Sequence, residues 1–242
     1  LVPERVWQEI SRGLMEDNPS RMFYMLRECG ALSRILPEVD VLFGVPQSAH
    51  THPEIDTGLH TMLAIDYSAT KNYSLPVRFA VLLHDLGKGT TSPEEWPHHI
   101  DHEQRSLQII IDLSERIRIP KESRDLAILV AQLHDQAEAL NPKAIADLLQ
   151  AVDAYRKPDR FGEFLLACAC DFHGFPGYAN RPYPQTRLLH KALTAAQSIN
   201  AGELAAALRE RINDNTLLST AINTKVREAR IAKIKQVLNK TD

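Results

Sequence analysis

The sequence predicts an all-α fold, a helical bundle with further N- and C-terminal helices flanking it. Three observations predict it. Apolar residues recur at three- and four-residue spacing in one segment after another. Helix-starting pairs such as Asn18-Pro19, Leu75-Pro76 and Asn141-Pro142 fall between these segments, where proline is tolerated. Alternating apolar and polar runs bounded by hairpin turns do not occur in the sequence.

The elements follow in order. A first helix runs from about Pro3 to Leu14, with Val6, Trp7, Ile10 and Leu14 on one face. A second starts at Asn18-Pro19 as N-cap and N1, carries Met22, Phe23, Met25 and Leu26, and ends at Cys29-Gly30. Residues 31–43 read as a short apolar helix or turn, and 44–55 as a loop that opens a new unit. Asp56 caps a helix to about Lys71, and Leu75-Pro76 opens the next, to His84-Asp85. Gly87 to Pro97 is a loop. Helices are expected at about 98–117, 121–138 and 142–155, then from Pro158 to Asp171. Residues 172–184 are dense in breakers and read as a loop. Residues 185–198, 202–211 and 216–239 are expected to be helical. Three regions result: a helical segment over 1–50, a central domain over 51–184 and C-terminal helices over 185–242.

With 242 residues the chain can bury a large core without staples. Lys plus Arg is 28 against 31 Asp plus Glu, a net charge of -3, so the chain as a whole is not an electrostatic nucleic-acid binder. Cys29, Cys168 and Cys170 lack framework spacing, which points to a reducing compartment, the cytoplasm; the latter two are expected to pack in a helix. No apolar run is long enough for a membrane span, and no signal peptide is visible. The start at Leu1 rather than Met fits a piece of a longer protein.

The chemistry concentrates on His84-Asp85, within Leu82-Leu83-His84-Asp85-Leu86-Gly87-Lys88-Gly89. The doublet closes an apolar helical run, where a core helix has no ordinary use for it. His60 stands one helix upstream, and Asp171 follows the apolar stretch Phe164 to Cys170. Imidazole with carboxylate is a mixed set suited to a divalent metal such as Mg, Mn, Co or Ni. Such an ion acidifies water and polarises a phosphoryl oxygen, the two needs of phosphate-ester hydrolysis. Adjacent helical residues point about 100° apart, so His84 and Asp85 meet one ion only at a helix edge.

Other residues leave alternatives open. His102 and His134 either hold a second ion with Asp85 as bridge or act as acid and base beside a single one. Asp135 either orients His134 or is an exposed acid. Lys88 either meets a substrate phosphate or is a solvated loop lysine, and Arg105 is a weaker phosphate candidate. His98 and His99 are expected to be exposed. His50, His52 and His190 have no expected role, and His173 is a candidate for the mouth of the site. The basic stretch Lys225 to Lys240 is either a solvated face or a phosphate-backbone contact.

The order His60, His84-Asp85, Asp171 resembles the HD phosphohydrolase superfamily. The runs Leu1-Val-Pro-Glu-Arg-Val-Trp, Leu36-Pro-Glu-Val and Phe79 to Lys88 are closer still to the C-terminal part of bacterial tRNA nucleotidyltransferases, the CCA-adding enzymes that carry an HD domain. The similarity runs from Leu1 to about Gln185. It implies an all-helical, metal-dependent phosphohydrolase acting on 2′,3′-cyclic nucleotides, 2′-nucleotides or phosphomonoesters. It also implies metal or catalytic roles for His60, His84, Asp85 and Asp171, with His134 and Asp135 as further candidates. Expected partners are the tRNA 3′ end and an N-terminal nucleotidyltransferase head of the same polypeptide. The Gly-rich turn and paired carboxylates of such a head are missing from this sequence, so no CCA addition is expected from this chain alone. Two rival readings are a helical tRNA-binding module without catalysis and an HD hydrolase of free nucleotides.

Overall fold

A computed structural model describes residues 2–47, 56–138 and 141–239. His50 and His52 lie outside these. The described residues are helical, with no strand and one isolated bridge between Pro46 and Asp56. In chain order the helices are α1 (Pro3–Leu14), α2 (Ser20–Glu28), α3 (Leu32–Ile35), α4 (Pro37–Asp40), α5 (Thr57–Thr70), α6 (Leu75–Leu83) and α7 (His102–Arg116). There follow α8 (Lys121–Leu133), α9 (Pro142–Ala151), α10 (Pro158–His173), α11 (Gln185–Gln197), α12 (Ala201–Arg209) and α13 (Asn215–Leu238).

The helices group into two compact units. The first comprises Leu1–His134 with Glu163–Tyr183, the second Asp135–Gly162 with Pro184–Asp242. In the first unit α6 is the central helix. Val77 and the run Phe79 to Leu83 are all buried, so this helix has no solvent face, and α5 and α8 pack against it. Each such Leu or Phe contributes about 1.5–3 kcal/mol by leaving water. Arg78 interrupts the run, yet its guanidinium is satisfied by the carbonyls of Tyr73 (2.9 Å), Leu14 (2.8 Å) and Glu16 (3.0 Å). These bonds tie the end of α1 to α6, beside an edge-on contact of Trp7 with Phe79. The Asp66 carboxylate of α5 accepts from the backbone N–H and hydroxyl of Ser20, which anchors the start of α2.

In the second unit α13 packs along α9, α11 and α12. Its basic residues are partly engaged: Arg227 forks onto Asp147, and the Arg230 guanidinium lies 3.7 Å over the Tyr155 ring. Lys225 pairs with Glu228 along the helix. No helix among the described residues is long and apolar enough to cross a membrane.

Three helix ends depart from the sequence expectation by four residues or more. Helix α7 starts at His102 rather than near 98, because His99 and Asp101 take left-handed φ of 49° and 58°. Helix α8 stops at Leu133 and tightens into a 3-10 turn, His134–Glu138. Helix α9 ends at Ala151, short of 155, where Asp153 turns left-handed at φ 57°. The first two departures place His102 and His134 at helix termini, and both residues belong to the first unit.

Candidate metal centre

Helix ends also position His84 and Asp85. Helix α6 stops at Leu83; His84 keeps helical angles, and Asp85 steps out at φ -111°, ψ 15°. That step relieves the 100° divergence and turns both side chains to one place. Their neighbours arrive from separate elements of the first unit: His60 from the first turn of α5, Asp171 near the end of α10, His102 from the start of α7 and His134 from the end of α8.

Three of the imidazoles share one way of being aimed. The His84 Nδ1 donates to the Val81 carbonyl at 2.7 Å, the His134 Nδ1 to Val130 at 3.0 Å, and the His102 Nδ1 to His99 at 3.0 Å. A carbonyl only accepts, so Nδ1 carries the proton and the neutral ring keeps its lone pair on Nε2. This is the arrangement of a metal-ligating histidine, with one nitrogen held by a backbone acceptor and the other presented.

The presented atoms converge. His60 Nε2 lies 2.8 Å from Asp171 Oδ1, and His84 Nε2 lies 3.5 Å from the same oxygen and 3.2 Å from Asp85 Oδ2. Asp85 Oδ1 is 3.5 Å from His102 Nε2 and 3.7 Å from His134 Nε2. An ion bonded at about 2.1 Å holds neighbouring octahedral donors roughly 3 Å apart. The observed spread fits. His84 Nε2, His102 Nε2 and Asp85 Oδ1 are buried and find no hydrogen-bond partner among the described residues. The sets His60, His84, Asp171 and His84, Asp85, His134 each bring one donor per residue close enough to hold a metal ion.

The charges respond to this crowding. Burial disfavours the protonated ring of His84, but the Asp85 and Asp171 carboxylates outweigh it and hold its pKa well above 6.5. Burial likewise opposes ionisation of both carboxyls. His84 and Lys88 overcome it at Asp85, His60 and His84 at Asp171, and both stay well below the usual carboxylate range. At His102 burial pulls the pKa down and Asp85 raises it, with a net rise.

Residues 58–157 match the HD domain family, and residues 1–43 match a family described as a probable RNA and SrmB-binding site of polymerase A. The chain carries an HD domain. It is 62% identical over 241 residues to the multifunctional CCA protein of Nitrosospira multiformis, covering 98% of this chain and 58% of that one. It is 60% identical over 242 residues to the protein of the same name from Nitrosomonas europaea, covering 99% and 59%. The relative of that name in Janthinobacterium sp. is 51% identical over 243 residues, covering 99% and 58%. The chain thus corresponds to the HD-bearing portion of multifunctional CCA proteins and spans a little under three fifths of their length.

The remaining candidates sort around the HD doublet. Lys88 is not a solvated loop lysine: it is buried, and its ammonium donates to Asp85 Oδ2 and to Gln47 Oε1, both at 2.7 Å. Sequence reasoning missed Gln47; nothing in its neighbourhood marks it, and it reads as loop. Arg105 is held by Glu95 and the Thr90 carbonyl. His98 is exposed as expected, but His99 is buried, with Nε2 donating to the Pro46 carbonyl at 2.8 Å and Nδ1 against the Thr91 hydroxyl. Burial lowers the His99 pKa. Asp135 is exposed and follows His134 directly as the first residue of the second unit. His173 stacks on Tyr67 at 4.5 Å. His190, in the second unit, is exposed and stands edge-on to Phe161. Cys168 and Cys170 are buried free thiols, and burial pushes the Cys170 pKa far up.

Proposed function

We propose that this chain is a metal-dependent phosphohydrolase acting on 2′,3′-cyclic phosphates, 2′-nucleotides and related phosphomonoesters. We further propose that it forms the HD part of a CCA-adding enzyme that matures or repairs tRNA 3′ ends. The observation that carries this reading is the convergence of His84 Nε2, His102 Nε2 and Asp85 Oδ1, all buried without hydrogen-bond partners. Each such atom costs about 1–3 kcal/mol when left unsatisfied. A divalent cation would satisfy the His84 and Asp85 atoms, and a second ion or a bound substrate the His102 atom.

His60, His84, Asp85 and Asp171 would hold the ion. When bound it supplies Lewis acidity towards a phosphoryl oxygen and a more acidic water. The chain's own groups do the rest. Lys88, already bonded to Asp85, fixes that carboxylate and adds positive charge near the developing phosphoryl oxyanions. His134 or His102 is the candidate to give a proton to the leaving oxygen. Should a second ion bind, Asp85 would bridge, and His102 and His134 would be its ligands.

The test uses metal-stripped protein with Mg, Mn, Co or Ni added singly, on 2′,3′-cyclic AMP and a plain phosphomonoester. Turnover restored by a metal and lost in Asp85→Ala is the expected result. Folded protein inactive with every metal would overturn the hydrolase reading.

A second reading, tRNA handling without catalysis, draws on the match of residues 1–43 to an RNA-binding family. It predicts tRNA affinity that falls steeply with salt. Within the whole enzyme the two roles are compatible, with the nucleotidyltransferase head supplying CCA addition. This chain alone should extend no tRNA with CTP or ATP.

A further inference from the structure

Directly after Asp171 the chain builds a cluster of rings that the metal chemistry does not use. Phe172, Phe175, Tyr178 and Tyr183 stand within twelve residues, although aromatic residues make up only 6% of the chain. All four are half-buried rather than enclosed. The cluster starts at the metal centre: the Phe175 ring lies 4.8 Å from the ring of His60, tilted by 30°. It continues outward from Phe175 to Tyr178 at 5.3 Å, and the exposed guanidinium of Arg181 lies 3.7 Å over the Tyr178 ring.

The segment is pre-set. Gly174 presses so close to Ala64 of α5 that a Cβ would meet its backbone at 2.9 Å. Gly177 supplies a left-handed turn at φ 81°. The Tyr178 carbonyl accepts from His173 Nδ1 at 2.9 Å and from the Arg181 N–H at 2.8 Å. Rings and a planar cation on a fixed turn, leading away from a phosphate-hydrolysing centre, are what an unpaired base stacks on. The ring centroids step 4.8 Å from His60 to Phe175 and 5.3 Å from Phe175 to Tyr178, a spacing on the scale of a nucleotide.

We infer that Tyr178 and Arg181, backed by Phe175, form a stacking shelf for a nucleobase, so that the centre selects nucleotide phosphates over phosphoesters without a base. This inference rests on the hydrolase reading above.

The test compares 2′-AMP with glycerol 2-phosphate, both esters of secondary alcohols, in the metal-loaded chain and in Tyr178→Ala, Tyr178→Leu and Tyr178→Trp. The preference for 2′-AMP, as a ratio of kcat/KM values, should fall roughly 5- to 100-fold in the Ala and Leu variants, the range for losing one base stack. The Trp variant should keep it. An unchanged ratio in Tyr178→Ala, or a Leu variant that matches wild type, would overturn the shelf and leave the ring as packing. An RNA oligonucleotide ending in a 2′-phosphate forms a further arm. A loss shared with 2′-AMP makes the occupant a nucleotide in either form, and a loss for 2′-AMP alone makes it a free nucleotide. If wild type hydrolyses nothing, the hydrolase reading fails by itself, and ethenoadenosine 2′-phosphate fluorescence decides the shelf. Quenching in wild type and Tyr178→Trp but not in Tyr178→Ala supports it; equal quenching, or none, sinks it.

Discussion

Replacing Asp85 with Asn keeps the side chain's shape and removes only its charge, at a position 1% exposed. In the metal-free chain the change strands Lys88, which is 7% exposed and bonded at 2.7 Å to the carboxylate. Gln47 still accepts from the ammonium but offers no countercharge. Breaking a buried pair from one side costs about 3–5 kcal/mol, and the lower end applies here because Lys88 keeps that one acceptor. At about 2–4 °C per kcal/mol for a chain of this size, melting should fall by roughly 6–12 °C. The transition to follow is that of the first unit. Adding Lys88→Met should recover much of the loss, with a coupling of at least about 1.5 kcal/mol between the two changes. The assay is urea unfolding with a chelator present, repeated with metal. In wild type, metal at a hundredfold excess over its Kd adds about 2.7 kcal/mol, and Asp85→Asn should show almost none of that gain. Two outcomes would refute the reasoning: single and double variants that add within about 0.5 kcal/mol, or an Asn variant that metal stabilises as much as wild type.

Further outcomes follow from the same geometry. His60→Gln should weaken metal binding by more than roughly 100-fold in calorimetric titration, since ligand-orienting residues alone are worth 10- to 100-fold; an unchanged Kd would remove His60 from the ligand set. Gly87→Ala would drive a Cβ into the His102 carbonyl and within 2.9 Å of the Ser106 nitrogen, so denaturant unfolding should show a loss of about 1–3 kcal/mol; equal stability would mean that α7 has room to move. The pH dependence of metal-free stability has two limbs. Asp85 and Asp171, with lowered pKa values, add stability above their unfolded value of 3.8 that is lost as pH falls through the folded values. His84 and His102, with raised values, add stability that is full below 6.5 and lost as pH rises through the folded values. Chelated protein should therefore weaken from pH 6 to 8, while metal affinity climbs over the same interval because imidazole ligands must be neutral; a flat chelated profile contradicts this. Finally, Cys29 is exposed while Cys168 and Cys170 are buried, so a thiol reagent should label one cysteine in native protein and all three after denaturation; labelling of Cys170 in the native state would contradict its burial.

The helices and the order of the candidate metal ligands were legible in the sequence because both are local signals. The Asp56 cap, with its carboxylate accepting from the Leu59 N–H, reads directly from residue type and spacing. His60, His84-Asp85 and Asp171 stand out because a ligand on an apolar helix has no packing reason to be there. What stayed hidden depends on distance across the fold. Gln47 and Lys88 are 41 residues apart, and no spacing announces that they share a buried hydrogen bond. His99 read as exposed beside His98, yet its backbone angle turns it inward onto Pro46. The late start of α7 was equally invisible, since left-handed residues at His99 and Asp101 leave no clear compositional mark. That late start makes His102 an N-terminal residue of its helix and brings it to Asp85.

The six ligand candidates are not spread evenly along the chain. Five of them, His60 to His134, come from one continuous stretch of the first unit. The sixth, Asp171, arrives only after the chain has gone off to build residues 135–162 of the second unit. A ribosome adding about 5–20 residues per second therefore displays the imidazole cluster for a few seconds before the closing carboxylate exists. During that interval His60 lacks the oxygen that it meets at 2.8 Å in the finished protein. On the proposed ligand set, a complete metal site would exist only in chains translated past Asp171.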